Sequence, residues 1–89
     1  MPVVKIPAPY RGSTSGADRV DVDGATVEEC IQAVNDQFPG FGDQVWDTGH
    51  TVHRFVKLYV NGDEIDRQAI DTAVTASDEV EVLAAVAGG

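Results

Sequence analysis

The residues with the clearest chemical potential are the last two, Gly88 and Gly89, which follow the uncharged run Ala84-Ala85-Val86-Ala87. Six such residues extend about 20 Å. Without Cβ atoms, the two glycines can enter a narrow channel and take backbone angles closed to other residues. The group delivered at the tip is the α-carboxylate of Gly89. A carboxylate is a poor electrophile until one of its oxygens becomes part of a good leaving group. Adenylation with ATP by another protein would create a mixed anhydride open to a sulfur or nitrogen nucleophile. The ending therefore predicts a handle with Gly89 as the reagent and Gly88 beside it. The plainer reading is a frayed end with no task.

Other candidate residues lie inside the chain. Phe55, Lys57 and Tyr59 alternate along one side of an expected strand, beside Leu83 and Lys5. An apolar patch ringed by charge is a docking surface in kind, and Val86 and Ala87 of the tail extend it. Scattered surface aromatics are the ordinary alternative. Cys30 falls on the apolar stripe of an expected helix and reads as a buried, inert thiol rather than a sulfur-handling nucleophile. Asp47, His50 and His53 recur at every third position, but no third strong ligand lies nearby, so no metal site is assigned. No Ser or Cys has an evident His and acid pairing. Gly40-Phe41-Gly42 lacks the preceding strand and following Lys of a phosphate loop. ATP binding by this chain itself is not expected.

The elements that must position these residues are short. Val3 to Ala8 alternates, with Val4, Ile6 and Ala8 on one face, and Pro7 and Pro9 mark its exit. Arg11 to Gly16 is a turn-rich loop, and Arg19 to Asp23 is a second strand closed by Gly24. Thr26-Val27-Glu28-Glu29 is a capping box in which Glu29 is expected to reach back to Thr26. Val27, Cys30, Ile31, Val34 and Phe38 then form one helical stripe, ended by Pro39-Gly40. A helical turn is expected around Asp43 to Trp46. Arg54 to Asn61 is the clearest strand, Asn61-Gly62 a hairpin turn, and Asp63 to Asp66 a short return strand. Glu79 to Leu83 is the last strand. A hairpin, a helix and further strands predict an α+β fold of the β-grasp, ubiquitin-like kind. Four to five strands form a mixed sheet with one main helix on one face. Residues 1–83 form the domain and residues 84–89 the tail.

Composition narrows the function. The chain has 89 residues and a net charge of −9, with fifteen acidic against six basic residues. At this size an ordinary multi-substrate enzyme is not expected, and a carrier or binding module is favoured. The acid excess disfavours nucleic acid and anionic membrane surfaces and favours a basic protein partner. Solubility alone would also explain it. A single cysteine excludes an internal disulfide framework, and no stretch reaches the length of a membrane span. A cytoplasmic, soluble protein is the expectation.

His53-Arg54-Phe55-Val56 with Tyr59-Val60-Asn61, and the ending Ala85-Val86-Ala87-Gly88-Gly89, resemble the ubiquitin-like sulfur-carrier family of ThiS and MoaD, and within it the CysO-type branch. The element order matches over nearly the whole chain. The resemblance implies a carrier protein rather than an enzyme. An adenylating enzyme related to ubiquitin-activating enzymes would activate Gly89, and a sulfurtransferase or other sulfur source would convert it to a thiocarboxylate. In the CysO-type case a PLP-dependent cysteine synthase would use that sulfur on an activated serine such as O-phosphoserine. A zinc metallopeptidase would then release the cysteine. ATP, PLP and zinc belong to those partners, and no cofactor to this chain. Molybdopterin, thiamin thiazole, thiolated tRNA or a secondary metabolite are the other sulfur destinations. Isopeptide modification of proteins is the reading from another class.

Overall fold

The computed structural model describes residues 1–47 and 51–84. Five strands and two helices follow one another: β1 (Val3–Lys5), β2 (Arg19–Asp21), α1 (Val27–Gln37), α2 (Phe41–Val45), β3 (Val56–Val60), β4 (Asp63–Ile65) and β5 (Glu79–Ala84), with a 3₁₀ turn at Ala8–Tyr10. The sheet order is β2-β1-β5-β3-β4. β5 runs parallel to β1 and antiparallel to β3, and the other pairs are antiparallel. The last strand in the chain is thus the central one, hydrogen-bonded on both sides. This is the mixed sheet with one main helix that the sequence pattern predicts.

Apolar alternation explains the layering. Val4 and Ile6, Val20 and Val22, Val56 and Leu58, and Val80 and Val82 are buried on one face of the sheet. Val27, Cys30, Ile31 and Val34 of α1 meet them there. The Thr26 hydroxyl accepts from the Glu29 N–H at 3.2 Å, as a capping box requires. The Glu29 carboxylate, however, accepts from Ala25 N–H at 3.0 Å rather than reaching back to Thr26. The next orphan donors of the helix, Val27 and Glu28 N–H, are taken by the carbonyls of Thr72 and Ile70.

Several boundaries differ from expectation. β1 ends at Lys5 because Pro7 and Pro9 offer no N–H, and the chain turns into the 3₁₀ segment with Ala8 exposed instead of facing inward. β2 stops at Asp21, although Val22 remains buried. β3 begins at Val56, since the Val56 N–H closes a turn on the His53 carbonyl. The helical turn of the long connection is α2, whose Phe41 and Val45 are fully buried core residues. Phe38 is only partly buried because it is the C-cap of α1. β5 runs to Ala84, one position past the expected Leu83, because Ala84 pairs with Val56.

Asn61 and Gly62 have φ of 51° and 87°, the paired left-handed angles of a two-residue hairpin turn. Asn61 does more than turn the chain. Its amide oxygen accepts from Glu79 N–H at 2.9 Å and its nitrogen donates to Asp78 at 2.9 Å. The β3–β4 hairpin is thereby tied to the start of the central strand.

Candidate functional site

The site is built around the end of β5, where the chain leaves the sheet. Burial of Val80 and Val82 on the helix side directs Glu79, Glu81 and Leu83 to the open face. On β3 the same alternation buries Val56 and Leu58 and turns Lys57 and Tyr59 outward. The register then sets neighbours: Lys57 stands opposite Leu83, and Tyr59 opposite Glu81. Across β1 the row continues, since Lys5 pairs with Glu81 on one side and Arg19 on the other. Arg19, Lys5, Glu81, Tyr59 and, on β4, Glu64 therefore form one line across the open face.

Of the sequence-predicted docking residues, Lys57, Tyr59 and Leu83 are brought together on this face by the β3–β5 register, while Phe55 lies in the turn that leads into β3. Phe55 is 38% exposed, one of two large exposed apolar side chains among the described residues. Its ring stacks on His53 with centroids 4.8 Å apart and planes 15° from parallel. His53 is thus an aromatic neighbour of the patch. Among the described residues no three His, Cys, Asp or Glu side chains converge as metal ligands. His50 lies outside those residues, as do Val86, Ala87, Gly88 and Gly89. The Asp47 carboxylate accepts from Thr51 N–H at 3.1 Å.

Charge on the open face is arranged in pairs. Glu79 lies 2.9 Å from Arg19 and 3.8 Å from Lys5, and Glu64 lies 3.9 Å from Lys57. These pairs are exposed, and such pairs contribute about 0.2–1 kcal/mol each to stability. Their consequence lies more in the shape of the surface potential. Beside Leu83 and Ala84 a groove of about 400 Å³ opens between β5 and the β1–β2 connection. Arg11 closes one wall, its Nε donating to the Ile6 carbonyl at 3.1 Å. Sequence reasoning missed Arg11, Arg19 and Glu81 as members of this site. The parallel pairing of β1 with β5, which joins them, leaves no local signal in the sequence.

Cys30 is remote from this face, in the core under α1. Burial, with Glu29 and Asp23 nearby, pushes its thiol up to about 11. A thiol held protonated in this way is a poor nucleophile.

The ThiS family model matches residues 4–89. The sulfur carrier protein CysO of Mycobacterium tuberculosis is 33% identical over 89 residues, covering 97% of this chain and 96% of that protein. Among solved structures, a chain of the Amycolatopsis orientalis BexX/CysO complex superposes with a TM-score of 0.90 at 32% identity, covering all of both chains. The SAMP1 protein of Haloferax volcanii superposes with a TM-score of 0.80 at 26% identity, over 99% of this chain and 98% of that one.

Proposed function

The chain belongs to the ThiS family, and from that premise we propose that it is a sulfur carrier whose Gly89 becomes a thiocarboxylate. The supporting observation is the extent of the likeness. It runs through Gly88 and Gly89, and a CysO protein is 33% identical over almost its whole length. A partner adenylating enzyme binds the open sheet face through Phe55, Lys57, Tyr59 and Leu83, with Val86 and Ala87 following. It receives Gly88 and Gly89 in its site. The Gly89 carboxylate oxygen attacks the α-phosphorus of ATP, and pyrophosphate leaves. Hydrosulfide displaces AMP from the acyl carbon, and the carbonyl now carries sulfur in place of one oxygen; where a sulfurtransferase persulfide is the donor, it forms an acyl disulfide that a thiol reductant cleaves to the same thiocarboxylate.

The sulfur is destined for cysteine. The thiocarboxylate sulfur replaces the phosphate of O-phosphoserine in a PLP-dependent synthase, and a zinc metallopeptidase frees the cysteinyl product and restores Gly89. This chain supplies binding and delivery in that cycle, while ATP, PLP and zinc chemistry belong to its partners. The work is cytoplasmic.

The test is reconstitution. The chain is incubated with the adenylating enzyme of its own genome, ATP and a sulfur donor, and its intact mass is read. The expected result is exchange of oxygen for sulfur at Gly89, absent in a variant lacking Gly89 that still folds. An unmodified full-length chain would overturn the reading. ATP-dependent linkage to lysines of other proteins, without sulfur transfer, would replace it with protein modification.

A further inference from the structure

The groove beside Leu83 and Ala84 has a charge balance unlike the rest of the chain. Lys5, Arg11 and Arg19 line it against two carboxylates, Asp18 and Glu81. Over the whole chain six basic residues face fifteen acidic ones. Half of the chain's positive charge is therefore gathered at the point where the chain leaves the sheet. Lys5 and Arg19 share Glu79, whereas Arg11 has no carboxylate partner among the described residues. Its Nε is held by the Ile6 carbonyl, which fixes the guanidinium at the groove wall. The groove is continuous with the docking face, since Leu83 and Glu81 belong to both.

We propose that this groove is the second half of the docking surface, and that its occupant is a carboxylate-bearing segment of the adenylating enzyme. The proposal rests on the sulfur-carrier reading and names the chemistry of that partner. A chain of net charge −9 repels an acidic segment almost everywhere. The groove is where such a segment is accepted, so the pairing selects one orientation, with Ala84 turned toward the partner. Arg11 can take a carboxylate through its two terminal nitrogens, and Lys5 adds a point charge alongside.

Steady-state adenylation by the enzyme of the same genome, followed by pyrophosphate release, tests this. Arg11→Gln and Lys5→Gln are each expected to raise KM for the carrier about tenfold, leave kcat within about twofold, and flatten the dependence of kcat/KM on ionic strength. Gln32→Glu makes the same change in net charge on the exposed side of α1 and is expected to leave KM unaltered. Lys5→Arg is expected to retain the native KM. Thermal melts verify folding, and Lys5→Gln, which gives up only a 3.8 Å ion pair, serves if Arg11→Gln disturbs the loop. Native KM values in both glutamine variants would overturn the groove assignment and leave the carrier reading standing. A native chain that is never adenylated would overturn both. A concentration-dependent dimer dissolved by either substitution would give the groove to a second copy of the chain and overturn the proposal.

Discussion

Gly24 provides the sharpest test of how the helix is seated on the sheet. It follows β2 and precedes the helix cap, and its φ is not positive, so conformational freedom does not explain it. Close approach does. A Cβ added there would lie 2.9 Å from the backbone nitrogen of Cys30 and 3.1 Å from its sulfur. The first contact is with backbone at the start of α1, so relief requires the helix to move. Overpacking of this kind costs about 1–3 kcal/mol. Reduced freedom of the unfolded chain returns about 0.4–1 kcal/mol. Gly24→Ala is therefore expected to destabilise by about 1.3 kcal/mol net, from the middles of the two ranges. In a domain of this size that lowers Tm by roughly 5–10 °C. Gly12→Ala is the control, because its added Cβ meets nothing within 4 Å and it should be neutral or slightly stabilising. Urea unfolding followed by Trp46 fluorescence and far-ultraviolet dichroism gives both values. In a Cys30→Ala background the cost of Gly24→Ala should shrink but persist, since the backbone contact remains. A Gly24→Ala protein as stable as the native chain would show that α1 takes up the added methyl without cost, contrary to a seat fixed by close approach.

Three further outcomes follow from the same structure. Thr26→Ala orphans the Glu29 N–H and is expected to cost about 1 kcal/mol in urea unfolding, with Thr26→Ser close to native; equal stability of all three proteins would count against the cap. The Asp78 carboxyl is held below its ordinary value by hydrogen bonds from the Asn61 side chain and the Thr75 N–H. The folded state therefore binds that proton less readily than the unfolded chain. Its stabilising effect is present above the ordinary carboxylate range and is lost as pH falls through the folded value. Asp78→Asn should accordingly flatten the acid limb of a stability–pH curve, and an unchanged limb would dismiss this link. Cys30, with its thiol pushed up to about 11, should resist alkylation at mildly alkaline pH in the native protein and react readily once unfolded; fast native labelling would place the thiol at the surface.

Much of the fold is legible in the sequence because its signals are local. The capping box at Thr26 and the alternation of Val56, Leu58 and Val60 each predict the element found. So does the Asn61-Gly62 turn. The cap of α1 is only half local. Its remaining donors are satisfied by carbonyls of Ile70 and Thr72, and backbone acceptors carry no side-chain signature. Phe41 and Val45 enter the core from a helix too short to show a periodic stripe. The open face is legible on β3, where Lys57 and Tyr59 alternate with the buried Val56 and Leu58. The groove beside it is not, because Arg19 is brought to Glu81 across Lys5 by an antiparallel and then a parallel pairing, the latter distant in sequence. Gly24, which reads as the close of a strand, is fixed by a helix backbone that does not exist until the chain folds.

The measurement that bears most directly on the carrier function is the intact mass of the untagged protein from its own cells. It is taken before and after a thiol-reactive alkylator, with fragmentation to locate any change. The expected result is sulfur in place of one oxygen at Gly89, or a cysteinyl adduct there. A plain carboxylate at Gly89 in sulfur-replete and sulfur-starved cells alike would contradict it.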